Sequence, residues 1–226
     1  MTDERIVEGY TLGVFQSNTY VLAGRAGNGA VLIDAGQDAG DVAAERLAAH
    51  GLKLEAVLLT HGHIDHIWDA ARVADEAGVP AFIHPGDRYM LDDPGAALGR
   101  MGLGRFEIGV PKDVRDLSDN DELHFGGVNV TVRHTPGHTP GHCVFVTDGI
   151  LFSGDLIFQG SIGRSDFPGG SLDDLMDSIR RVVLPMDDEV AILSGHGSET
   201  TVGVERRTNP FVIADARGEL PRLLGL

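Results

Sequence analysis

The chain has 226 residues, a formal net charge of −16 and a single cysteine, Cys143. That length supports a sizeable core, the acidity opposes binding to phosphate backbones or anionic membranes, and one cysteine excludes an internal disulfide. No apolar run approaches membrane-spanning length and Met1–Arg5 is polar, so a cytoplasmic protein with no nucleic-acid or membrane partner is expected.

Residues 6–13 and 19–23 read as strands, and Ala30-Val31-Leu32-Ile33 as a buried strand ending at Asp34-Ala35-Gly36. A helix over 41–50 stops at Gly51, and a strand over 54–59 completes a β-α-β unit. That strand runs into Thr60-His61-Gly62-His63-Ile64-Asp65-His66, which is followed by a helix over 67–77 closed by Gly78 and by a short strand over 81–83. Residues 85–112 are Gly-rich and irregular and read as a mobile flap able to overhang the strand ends. Strands then follow over 122–125, 128–133, 143–147 and 150–152, with turns at Gly126-Gly127 and Asp148-Gly149. Ser171-Leu172-Asp173-Asp174 has capping-box spacing, and Leu172, Leu175, Met176, Ile179, Val182 and Val183 form one apolar stripe. A final strand over 190–193 delivers Gly195-His196-Gly197. With no repeat or linker, one domain over 1–226 is expected.

Three histidines and an aspartate crowd into residues 61–66 directly after an apolar strand. Imidazoles two apart at a strand end can point the same way, and Gly62 lets the backbone bend so that both reach one cation. Neutral imidazole and carboxylate are ligands for zinc and iron. For His50, His84, His124 and His134, each standing alone, a satisfied or exposed side chain is the expectation. His142 follows His138 by four residues, but the Pro140-Gly141 turn breaks any helical argument for aiming both rings together, so it is left outside the site. Cys143 opens an apolar strand and reads as a small buried hydrophobe.

The segment His61-Gly62-His63-Ile64-Asp65-His66 resembles the H-x-H-x-D-H signature of the metallo-β-lactamase superfamily. The likeness continues in chain order: Asp34 closes an early strand, His138 lies in Thr135-Pro136-Gly137-His138-Thr139-Pro140-Gly141, Asp155 in Ser153-Gly154-Asp155, and His196 in Gly195-His196-Gly197. The resemblance implies an α/β fold of αββα type, two internal mixed sheets flanked by helices. It also implies one metal at His61, His63 and His138, a second at Asp65, His66 and His196, and a bridging Asp155, with Asp65 and Asp155 serving catalysis as well as ligation. Asp34 would stand off the metals and orient a ligand imidazole; read alone, it fits a turn or capping aspartate nearly as well. Two divalent ions are therefore expected, zinc first, with iron or manganese as alternatives.

Two cations sharing a hydroxide would supply a nucleophile at neutral pH and polarise a carbonyl. A thiolate leaving group, from a thiol of pKa about 8.5, needs little protonation, so the site suits thioester hydrolysis. Within the superfamily the chain is similar to the glyoxalase II group, the hydroxyacylglutathione hydrolases, and to its short bacterial members. The likeness rests on Gly160-Ser161-Ile162-Gly163-Arg164-Ser165-Asp166-Phe167, the Thr135–His142 run, and Glu205-Arg206-Arg207-Thr208-Asn209-Pro210. It implies a small-molecule substrate, a hydroxyacyl thioester of glutathione or a similar thiol. Longer members carry an added C-terminal helical domain that contacts glutathione, and residues 198–226 are too few for one. The thiol is then expected to meet Arg164 or the Arg206-Arg207 pair, or the carrier differs from glutathione; the same arginines also fit a solvated surface. The alternative is a mononuclear iron persulfide dioxygenase of the same fold, using His61, His138 and Asp155. A lactamase or lactonase and a non-catalytic metal-binding protein stand behind it, and composition leaves the oligomeric state open.

Overall fold

Apolar residues on both faces of successive strands require cover on both sides, and the computed structural model, which describes residues 5–24, 28–95, 108–125, 127–220 and 223, supplies it in four layers. Strands β1 (Ile6–Leu12), β2 (Ser17–Ala23), β3 (Gly29–Ile33), β4 (Lys53–Leu58), β5 (Ala81–Ile83) and β6 (Val114–Asp116) form the first sheet in that order. It is antiparallel from β1 to β3 and parallel from β3 to β6. The second sheet has the order β14-β13-β10-β9-β8-β7, built from β7 (Glu122–Phe125), β8 (Val128–His134), β9 (Cys143–Thr147), β10 (Ile150–Gly154), β13 (Ala191–Ser194) and β14 (Thr200–Thr201). Its β10–β13 pair is parallel and the others are antiparallel. A small hairpin, β11 (Ile157–Phe158) and β12 (Ser161–Ile162), follows β10.

Side chains two apart share a face. Leu22, Val31, Ile33, Ala56 and Leu58 of the first sheet meet Val130, Val132, Phe145 and Phe152 of the second in the central layer. The intervening residues Val21, Leu32 and Val57 face outward, against α1 (Ala39–His50) and α3 (Ala70–Ala77). Val144, Leu151 and Ile192 of the second sheet likewise pack on α5 (Leu172–Ser178), α6 (Val202–Thr208) and α7 (Pro210–Ala216). Helix α5 is capped by the Ser171 hydroxyl, which accepts from Asp174 N–H, and continues as a π-helical turn over Ile179–Val183. Gly51 and Gly78 end α1 and α3 in the left-handed conformation that the sequence pattern asks for.

Several expectations are corrected. The single helix over 67–77 is two: α2 (Ile64–Ile67) starts within the histidine motif, and the chain breaks at Trp68-Asp69 before α3. The break has a tertiary cause, because Asp69 donates its N–H to Ala35 O and accepts from Gly40 N–H, which anchors the start of α3 to the loop after β3. The strand over 190–193 is not the last; β14, α6 and α7 follow it, and β6 had no clear signature. Of the expected flap, residues 96–107 lie outside the described residues. Residues 85–95 are no flap, since the turn Pro85–Asp87 and α4 (Tyr89–Asp92) bury Asp87, Met90 and Leu91. Among the described residues no helix is long and apolar enough to cross a membrane.

Candidate metal centre

The carboxyl ends of β3, β4, β10 and β13 come out on one edge, where open α/β sheets place ligands. Asp34 follows β3, the His61–His66 run follows β4, Asp155 follows β10 and His196 follows β13. His138 arrives on the loop between β8 and β9. Ligand atoms of His61, His63 and His138 lie within 4.8 Å of one another, as do those of Asp65, His66 and His196, and those of His61, His66 and Asp155. Asp155 faces both the first trio, His61, His63 and His138, and the second, Asp65, His66 and His196: its Oδ2 is 3.5 Å from His138 Nε2 and 3.6 Å from His196 Nε2, and its Oδ1 is 3.5 Å from His66 Nε2. Gly195 permits this approach, as a Cβ there would stand 2.2 Å from Asp155 Oδ1.

Four of the rings are oriented by an acceptor on the far side. His66 Nδ1 donates to Asp34 Oδ2 at 2.8 Å, His138 Nδ1 to Arg164 O at 2.6 Å, and His196 Nδ1 to Gln16 O at 3.1 Å. His61 Nδ1 donates to Thr60 Oγ1, whose own proton goes to Asp34. In a neutral ring with Nδ1 protonated, Nε2 turns a lone pair inward, the tautomer that a metal ligand needs; His66, which its carboxylate neighbours hold protonated, would give up its Nε2 proton to ligate.

The Nε2 atoms of His61 and His138 are 3.2 Å apart. Two lone pairs at that distance repel, whereas ligands of one tetrahedral cation, at about 2.0–2.1 Å from it, sit ~3.3 Å apart. His63 Nε2, His66 Nε2 and Asp155 Oδ1 are buried with no hydrogen-bond partner. A cation is the group that satisfies all of them, so the donor set fits divalent metal.

Electrostatics separate the trios. Burial, joined by the neighbouring imidazoles, holds His61 well below the usual imidazole range, and burial brings His63 down to about 3 and His138 to about 4. Burial also acts to lower His66, but the Asp65, Asp155 and Asp34 carboxylates outweigh it and push the ring up to about 10. Burial pushes the Asp155 carboxyl up. The first trio is therefore an uncharged imidazole set, and the second is rich in charge.

A cavity of about 320 Å³ opens over these groups, with His63, Asp65, His138, Asp155 and His196 on its floor. Phe15, Ile64, Phe158, Phe167 and Arg164 form its walls. Phe167 packs edge-on to His63 at 5.3 Å and Phe158 to His196 at 6.1 Å. Arg164 lies over the Phe167 ring and makes two hydrogen bonds to Asp166. Arg206 and Arg207 are not brought to the cavity. Both pair with Asp188, and Arg206 also donates to Leu184 O and Met186 O. Their segment is scaffolding: Glu205 accepts from Gly160 N–H, and Asn209 donates to Ser161 O and caps α7.

Three supports were missed in the sequence. His142 is fully buried, and its Nε2 accepts from Asp155 N–H at 3.1 Å while Nδ1 meets Thr135 Oγ1. Its four-residue spacing from His138 was the available signal. Ser17 and Asn18, at the start of β2, hold the other side: the Ser17 hydroxyl donates to Asp65 O, and Asn18 Nδ2 donates to Ser194 O and Gly197 O. Asp87 joins the two histidine loops of the first trio. For these two groups no local pattern marked the role.

Four layers with a histidine and aspartate cluster on the strand ends define a metallohydrolase architecture. Residues 12–196 match the metallo-beta-lactamase superfamily, and the chain belongs to it. It is 36% identical over 201 residues to the hydroxyacylglutathione hydrolase GloC of Haemophilus influenzae, covering 88% of this chain and 93% of that protein. Among solved structures, the BLEG-1 B3 metallo-beta-lactamase superposes with a TM-score of 0.83 at 34% identity, over 92% of this chain and 99% of that one. A di-iron-bound form of TTHA1623 gives a TM-score of 0.78 at 38% identity, over 91% and 100% of the two chains.

Proposed function

We propose that this metallohydrolase cleaves thioesters, with a hydroxyacyl thioester of glutathione or a similar small thiol as its substrate. The observation that carries the reading is the pair of donor trios with Asp155 facing both, under a cavity walled by phenylalanines. His61, His63 and His138 would hold one divalent cation, and Asp65, His66 and His196 another. Two cations in such a donor set supply a nucleophile from water at neutral pH and polarise a substrate carbonyl. The chain's own part is to orient and to enclose. Asp34, Arg164 O and Gln16 O fix the imidazoles, and Phe15, Phe158 and Phe167 exclude bulk water around the acyl carbon. Arg164, at the rim, would meet a carboxylate of the thiol half in exchange for its hydrogen bonds to Asp166. Among the described residues the walls offer no dedicated acid for the leaving group, and a thiolate needs none, because its conjugate thiol has a pKa of about 8.5. The 36% likeness to a hydroxyacylglutathione hydrolase supports the same reading, and the di-iron neighbour keeps iron beside zinc as the metal.

The test is turnover of lactoylglutathione and related thioesters by metal-loaded protein under anaerobic and aerobic atmospheres. Equal rates in both, lost in His196→Ala together with about one metal equivalent, are expected. A chromogenic cephalosporin belongs in the same panel, because the likeness to a B3 metallo-beta-lactamase favours β-lactam hydrolysis as the second reading. Oxygen uptake with glutathione persulfide and no thioester cleavage would replace both hydrolase readings.

A further inference from the structure

Asp87 is fully buried, yet it belongs to neither donor trio. Its carboxylate spans two loops that come from different sheets. Oδ2 accepts from Gly62 N–H at 3.0 Å and from the Thr139 hydroxyl at 2.5 Å, and Oδ1 accepts from Gly141 N–H at 2.6 Å. Gly62 sits between His61 and His63, and Thr139 directly follows His138. The packing leaves no slack: a Cβ at Gly62 would stand 2.8 Å from Met90 Cβ, and one at Gly141 would stand 2.5 Å from Asp87 N.

We propose that Asp87 is a positioning residue that fixes the His138 loop against the His61–His63 loop and so sets the donor spacing of the first trio. The metal part of this inference rests on reading that trio as a cation site. The geometry demands a carboxylate. One oxygen receives the Gly62 N–H and the other the Gly141 N–H, so in Asp87→Asn either orientation of the amide sets its NH₂ against a backbone N–H. A buried donor left without an acceptor is costly. The loops relieve it by parting, and the three imidazoles lose their common centre.

The experiment compares wild type, Asp87→Asn and Glu205→Gln after removal and return of zinc. Glu205 is the matched control, a fully buried carboxylate that accepts from Gly160 N–H, the Thr200 hydroxyl and the Asn209 amide and touches neither histidine loop. In competition with a chromophoric chelator, Asp87→Asn should bind zinc about 10- to 100-fold more weakly than wild type. Glu205→Gln should match wild type in zinc affinity even where its melting temperature falls. Amide hydrogen exchange of the zinc-free proteins gives a reading that needs no metal: Gly62 and Gly141 should exchange faster in Asp87→Asn and unchanged in Glu205→Gln. If Asp87→Asn does not fold, Thr139→Val, which removes one donor and keeps the carboxylate, should show a smaller loss in the same direction. Wild-type zinc affinity with unchanged Gly62 and Gly141 exchange in a folded variant, or an equal loss in Glu205→Gln, overturns the assignment. Failure of wild type itself to bind zinc saturably, with faster Gly62 and Gly141 exchange in the variant, would sink the metal reading and uphold Asp87 as the tie between the loops.

Discussion

Asp34 carries a positive φ of 56°, uncommon for a residue with a side chain, and its carboxylate collects Thr60 N–H, the Thr60 hydroxyl and His66 Nδ1–H. It therefore supports both trios at one remove, through His66 directly and through Thr60 to His61. Asp34→Ala is expected to weaken binding at the second trio about 10- to 100-fold, with a smaller loss at the first; stepwise metal titration would show it, and unchanged affinity at both would refute it. His142 acts on a backbone group. In His142→Ala the Asp155 N–H is left buried without an acceptor, at a cost of about 1–3 kcal/mol, which denaturant melts of the metal-free protein should register. The sequence disclosed the histidines and aspartates that converge because each stands in a compact, glycine-bordered motif. It concealed Asp87 and Asn18 because their partners lie far along the chain, Gly141 for Asp87 and Ser194 for Asn18, whereas the spacing of His142 from His138 was visible but broken by the Pro140-Gly141 turn. A local pattern cannot encode such pairings.

Among the elements, those with a long periodic signal were legible, as with α1, α5 and the β3-α1-β4 unit. The two-residue β14 and three-residue β6 were not, since edges this short are made by the neighbouring strand and not by their own composition. The α2–α3 break was likewise set by Ala35 and Gly40 and not by a helix breaker. The edge strand β1 is tied to α1 by Glu8, which takes two hydrogen bonds from Arg46 and meets His50 Nε2 at 2.9 Å. The Arg46 guanidinium holds the Glu8 carboxyl down at about 2. A carboxyl depressed on folding stabilises the protein above its unfolded pKa, and that contribution fades as pH falls through the folded value. Glu8→Gln should therefore lower the melting temperature at pH 7, and the gap to wild type should close as the pH is lowered from about 4.5 toward 2. A gap that is constant over that window would assign Glu8 a packing role alone.

Across the whole molecule, both trios draw on both sheets. His61, His63, Asp65 and His66 leave the first sheet, while His138, Asp155 and His196 leave the second. Metal binding is therefore coupled to the pairing of the two halves, and ligand that binds only the folded state at 1,000 times its Kd adds about 4 kcal/mol. Chelation should lower the melting temperature, and returning zinc or iron should restore it; an unchanged melting temperature would mean that no cation joins the sheets. The trios also differ in exposure. His61, His63 and His138 are 0%, 6% and 2% exposed, whereas the side chains of Asp65 and His196 are 18% and 30% exposed. A chelator can collide with Asp65 and His196 directly from the cavity, whereas His63 and His138 present only a sliver of surface to the same floor and His61 lies fully buried behind them, so it engages the first trio only when these surroundings move. Release of metal should thus be biphasic, with a fast phase that scales with chelator concentration and a slow phase that levels off at a ceiling. That ceiling is the breathing rate of the sandwich at its catalytic edge, so the bound ion becomes a clock for a motion otherwise invisible.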